Sequence, residues 1–168
     1  DRSFWNKDMS LEMFKLFWAN PNYIFENEAC TGTFQWNDVQ FFMLDNRWFR
    51  TPNDNHTGDR AFLGQKQINW LIDALTGSKA TFKFIVCGGQ VVNPAKVFEN
   101  MATYDAERAE LLKKIADAKV PGVFFLTGDR HHTCLQKLER PGSTYPLYDL
   151  TVSPFTSGPS KRSEEHTS

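Results

Sequence analysis

The sequence predicts an α/β fold built as one unit, and three observations carry that reading. The middle of the chain alternates helical apolar periods with short runs rich in Val, Ile and Phe. Three of those runs stop abruptly in polar clusters, as strands of an open sheet do at the edge where ligands gather. Finally, 168 residues with 40% hydrophobic, 14% aromatic and 23% charged residues can fill one bulky core, which excludes disordered and collagenous classes.

The elements follow in order. Ser10 caps a predicted helix reaching about Ala19, with Leu11, Phe14 and Trp18 on one face and Met13, Leu16 and Phe17 around the rest. A helix so apolar is expected to be buried. After the stop at Asn20-Pro21, Thr31 to Trp36 and Val39 to Leu44 flank Asn37-Asp38 and read as a hairpin. Thr51 to Gly64 carries Pro, Asn, Asp, His and Gly without an apolar period, so a long exposed loop is expected, holding His56 and Asp59 in solvent. From Gln65 to Leu75, Ile68, Leu71, Ile72 and Leu75 fall at i, i+3, i+4 and i+7. That is a helix, stopped by Gly77-Ser78.

Thr81 to Cys87 is then a strand ended by Gly88-Gly89, and Asp105 to Ala118 is a helix with Leu111, Leu112, Ile115 and Ala118 inside, broken by Pro121-Gly122. Val123 to Thr127 is apolar almost without interruption, the pattern of a central strand covered on both faces. Two further strands, near Cys134–Leu138 and Leu147–Val152, look antiparallel.

Charge removes several function classes. Lys and Arg number 19 against 20 Asp and Glu, a net charge of −1, so the footprint of a nucleic-acid or anionic-membrane binder is missing. No run approaches a membrane span and no signal peptide opens the chain, so the sequence reads as soluble. Cys30, Cys87 and Cys134 are far apart and odd in number, which indicates neither a zinc knuckle nor a disulfide framework but three small apolar residues. The phosphate-cradling G-x-x-x-x-G-K-[ST] and G-x-G-x-x-G loops and the G-x-S-x-G elbow are absent.

The three strand ends hold the candidate chemistry. They are Asp45-Asn46-Arg47, Gly88-Gly89-Gln90 and Gly128-Asp129-Arg130-His131-His132. Asp129 and His131 pair a hard oxygen with a borderline nitrogen, a set suited to zinc, manganese or iron, and at most one of His131 and His132 can face such a site from extended backbone. A capping turn with solvent-exposed histidines is the alternative. Arg47 and Arg50 could grip a phosphate with their planar donor forks, or a salt bridge between Asp45 and Arg47 could simply tie the loop. Gln90 could present an amide or merely cap backbone.

Phe41 to Arg50 with its L-D-x-R, Leu63 to Leu71 with L-G-x-x-Q-x-x-W-L, and Val123 to His131 with G-D-x-H occur in order and at suitable separations. Together they resemble the C-terminal part of the alkaline phosphatase D (PhoD-like) family of metallophosphoesterases. The resemblance runs over most of Asp1 to Gly158 and implies a helix-flanked two-sheet sandwich. It implies metal-dependent hydrolysis of phosphate mono- or diesters, using divalent or trivalent ions (calcium, iron, zinc or manganese), on a phosphate-ester small molecule as substrate. Carried over, Asp129 and His131 are metal ligands and Asp45 and Arg47 line or brace the phosphate pocket; beside them Arg50 and Gln90 are expected to bind substrate and His132 to protonate the leaving alkoxide.

The resemblance also implies upstream segments bearing further ligands, so residues 1–161 are expected to form a partial domain, inactive alone, from a periplasmic or extracellular parent. A sheet and helix deprived of neighbours should then expose an apolar face. Residues 162–168 resemble the translation of a sequencing-library adapter; without them 18 basic residues face 18 acidic ones. The rival reading is a non-catalytic, aromatic-rich α/β binding or assembly module.

Overall fold

The computed structural model describes residues 5–55, 57–140 and 145–160. The expectations for His56 and for residues 162–168 lie outside them. Helix α1 spans Lys7–Phe17, and strands β1 (Gly32–Trp36) and β2 (Val39–Met43) form the expected hairpin. Helix α2 (Gln65–Gly77), strand β3 (Phe82–Cys87), a single 3-10 turn at Met101–Tyr104, helix α3 (Asp105–Ala118) and strand β4 (Val123–Thr127) follow, and β5 (Cys134–Leu138) and β6 (Leu147–Thr151) complete the fold.

All six strands enter one sheet in the order β1-β2-β3-β4-β6-β5. β2, β3, β4 and β6 are parallel neighbours, while β1 and β5 pair antiparallel at the two edges. The last two strands are therefore not a simple antiparallel pair added to β4. β5 passes to the outer edge, and the chain returns through β6 into the gap, parallel to β4. The fold is α/β, as the sequence predicts; where the resemblance implies two sheets, the described residues form one, with helices packed on one face.

Period-two alternation divides the sheet sharply into two faces. On one face Phe42, Ile85, Val123, Phe125 and Leu147 are buried together with Ile68, Leu71 and Leu75 of α2 and Leu111 and Ile115 of α3. Even Lys83 is 2% exposed there; its Nζ donates to the carbonyls of Ala80 (2.6 Å) and Pro121 (3.2 Å), and burial pulls its pKa down. Gly122 makes the nearby turn with φ +72, where a Cβ would stand 2.0 Å from the Thr81 carbonyl oxygen, so only glycine fits.

The other face carries a ladder of rings crossing five strands. Centroids lie 4.7 Å apart for Phe34 and Phe41, 5.5 Å for Phe41 and Phe84, 5.7 Å for Phe84 and Phe124, and 6.1 Å for Phe124 and Tyr148. No helix among the described residues covers it, so β4 is covered on one face rather than both. Trp36 (77% exposed) and Leu135 (63%) extend the patch to its two edges.

Two other expectations are corrected. Helix α1 starts at Lys7, not at a Ser10 cap, and of its apolar residues only Leu11 is buried, against Ala29 and Trp48. Met9, Leu16 and Phe17 are exposed, because the element meets the rest of the chain along one narrow line. The loop after β2 is likewise not exposed throughout: Phe62 and Leu63 are fully buried. The reason is Glu107 of α3, whose carboxylate accepts the amide N–H groups of Phe62 (2.7 Å), Leu63 (2.9 Å) and Gly64 (2.8 Å) and draws the loop inward.

An uncovered aromatic face has a direct readout. The folded chain should bind anilinonaphthalene sulfonate at neutral pH while keeping a native near-ultraviolet dichroism, and replacing Phe41, Phe84 and Phe124 by Ser should cut that fluorescence severalfold. Fluorescence no higher than that of an ordinary folded monomer would mean the face is closed.

Candidate active site

Because β2, β3 and β4 are adjacent and parallel, the polypeptide leaves all three at the same edge of the sheet. The sequence-predicted clusters therefore meet. A Cβ on Gly88 would stand 2.9 Å from Asn46 Oδ1, and one on Gly128 would stand 3.6 Å from the Gly88 carbonyl oxygen. The loops after β2, β3 and β4 thus touch in sequence, and glycine at 88 lets the Asn46 side chain lie against the backbone.

The loops after β2 and β3 are held from beneath. Asp45 is 8% exposed; its Oδ1 accepts the N–H groups of Arg47 (2.7 Å) and Trp48 (2.9 Å), and its Oδ2 accepts that of Cys30 (2.8 Å). Gln67, buried on α2, donates to the carbonyls of Asp45 (2.8 Å) and Leu63 (3.0 Å) and accepts from the Asp45 N–H (2.8 Å) and the Thr31 hydroxyl (2.5 Å). Asp149 of β6 does the same for the loop after β3, accepting from the N–H groups of Val91 and Val92 (both 3.0 Å) and from the Thr127 hydroxyl (2.6 Å).

Arg50 and Gln90, expected to bind substrate, and Asp45, expected to line or brace the phosphate pocket, are turned into the protein. Asp45 spends its oxygens on backbone and makes no salt bridge with Arg47. Arg50 has a side chain 4% exposed and donates to Tyr104 Oη (3.1 Å), Asn53 Oδ1 (2.6 Å) and Glu99 Oε2 (3.3 Å). Gln90 is fully buried, donating to Thr151 Oγ1 (2.8 Å) and accepting from Asn93 (2.8 Å). All three support the rim.

Arg47 remains at the rim with its side chain 36% exposed, and its Nη2 donates to Glu99 Oε2. Its Nη1 is buried and has no acceptor among the described residues. Sequence reasoning missed Glu99 and Phe98, which bridge the loops: Glu99 takes both arginines, and the Arg130 guanidinium stacks over the Phe98 ring at 4.6 Å. Burial alone would raise the Glu99 carboxyl, but the hydrogen bond from Arg47 and the charges of Arg47 and Arg50 outweigh it and hold the group below the usual range. An open cleft of about 640 Å³, lined by Asn53, Arg60, Lys96, Phe98 and Tyr104, lies beside this cluster.

In the loop after β4, Asp129 (φ +70) and His131 (φ +55) both hold left-handed backbone, and Asp129 is exposed. His131 Nδ1 lies 2.8 Å from the Gly158 carbonyl oxygen. Among the described residues no group of three or more His, Cys, Asp or Glu could hold a metal ion, and Asp129 and His131 are donors of a type that suits one. The three cysteines form no disulfide, and burial pushes the thiols of Cys30 and Cys87 up to about 12, which fits apolar fillers.

Comparison with known proteins adds two findings. A family profile described as PhoD-like phosphatase matches residues 23–168. A solved structure described as the structure of PhoD superposes with a TM-score of 0.66 at 22% identity, covering 77% of this chain and 29% of that one. No curated protein sequence matches.

The Glu99 pair predicts a pH dependence. Its carboxylate pKa is lowered in the folded state, so its contribution is complete above the unfolded value of about 4.3 and is lost as pH falls through the lower, folded one. In urea titrations the stability gap between the unmodified chain and Glu99→Gln should be constant above about pH 5 and shrink below it. A gap independent of pH would show the carboxylate is not paired.

Proposed function

The chain belongs to the PhoD-like phosphatase family, and on that premise we propose that its rim forms part of a metal-dependent phosphoesterase site acting on phosphate mono- or diesters. The chain spans 29% of the PhoD structure it resembles, so the activity is that of the parent protein. One observation carries the reading: parallel neighbouring strands deliver a guanidinium with a buried, unmatched N–H and an Asp/His loop to one edge.

Each group has a task its chemistry suits. Arg47, its side chain 36% exposed at the rim, would offer a phosphoryl oxygen positive charge where negative charge develops. Glu99 and Arg50 hold the Arg47 fork in orientation, and Asp45 fixes the backbone that carries it. Asp129 Oδ and His131 Nε2 would hold an ion whose remaining ligands come from elsewhere in the parent. Such an ion, when bound, polarises the phosphoryl oxygen and lowers the pKa of water for attack at phosphorus. His132, next in the loop, would protonate the leaving alkoxide.

In the parent protein, His131→Ala should lower bound metal and phosphate-ester hydrolysis together, and Arg47→Ala should reduce kcat/KM by about 10² to 10³ with metal content unchanged. Retention of both metal and hydrolysis in His131→Ala would remove the ligand role. Full activity in Arg47→Ala would remove the phosphate role.

A further inference from the structure

The segment after β6 does more than end the fold. The His131 N–H donates to Ser153 Oγ (3.3 Å), the Ser160 N–H donates to the His131 carbonyl (2.9 Å), and His131 Nδ1 meets the Gly158 carbonyl (2.8 Å) with Ser157 Oγ at 3.3 Å. Ser160 Oγ also lies 3.5 Å from His132 Nδ1. Residues 153–160 therefore grip both the backbone and the ring of one residue, whose φ of +55 is uncommon for a residue other than glycine.

The contact with Gly158 has a chemical consequence. A carbonyl oxygen only accepts, so at 2.8 Å Nδ1 carries the hydrogen. Ser157 Oγ, farther away, can accept from the same N–H. In the neutral ring the lone pair then belongs to Nε2, at the opposite corner of the imidazole. A side chain in water mostly prefers the other tautomer.

We propose that residues 153–160 are a positioning strap that selects the Nδ1–H tautomer of His131 and presents its Nε2 lone pair to a metal ion, with the Gly158 carbonyl as the selecting group. A hydrogen bond of this kind from the far nitrogen sets ring orientation and raises ligand basicity, and its loss commonly weakens metal affinity about 10- to 100-fold. The metal half rests on the phosphoesterase reading above; the tautomer half does not.

The two halves have separate tests. In the full chain without metal at about pH 8, long-range ¹H–¹⁵N correlations of labelled histidine should show His131 as Nδ1–H. The signature should survive in a chain ended after Ser160 and in Ser157→Ala, and should disappear when Ser157 and Gly158 are deleted, with the backbone amide spectrum reporting that the sheet is intact. An Nε2–H ring in the full chain, or no change on deletion, overturns the proposal. So does loss of the signature in Ser157→Ala, since the hydroxyl would then be the selector. In the parent, the same deletion should weaken zinc affinity about 10- to 100-fold in a calorimetric titration. Unchanged affinity overturns the strap's part in metal binding, whereas a parent that hydrolyses no phosphate ester sinks the phosphoesterase reading and leaves the tautomer result standing.

Discussion

The rim depends on carboxylates buried with backbone amides as their partners. Asp45, Glu107 and Asp149 each lie in the interior, and among them they accept eight backbone N–H groups from the loops after β2 and β3 and from the chain beside β1. A carboxylate in low dielectric is costly unless several donors surround it, so each site is all or nothing. That cooperativity turns connecting segments, normally the loosest parts of an α/β fold, into fixed platforms. Arg47 is aimed by them although it touches none of the three carboxylates with its own side chain.

The outline of this arrangement was legible in the sequence. The bounds of α3 and β4, both read at the residues where they occur, follow from strong local signals: an apolar helical period closed by Pro121-Gly122, and an uninterrupted strand run. The meeting of the loops at 45, 88 and 128 was also readable, because helices between strands force parallel crossovers. What could not be read was direction. Asp45, Arg50 and Gln90 have the same composition whether they face solvent or backbone, and only tertiary contacts decide. Glu99 and Phe98 gave no signal, lying in a stretch without period.

One missed residue did leave a trace. Gln67 occupies the position four before Leu71 and eight before Leu75, squarely on the apolar stripe of α2. A polar side chain at a core register is bonded or it destabilises, so its four hydrogen bonds were in principle deducible. Helix α1 failed for the opposite reason. Apolar composition says how much surface would benefit from burial, and not whether a neighbour is there to provide it.

The left-handed backbone at Asp129 and His131 bears on how this loop can evolve. Each non-glycine residue held there stores strain on the order of 1 kcal/mol, which glycine would relieve at once. Selection for heat tolerance alone would therefore erode the loop toward glycine and erase the oxygen and nitrogen donors in the same step. Variants bred without a functional screen would gain robustness and lose the very atoms that distinguish this turn from a passive one.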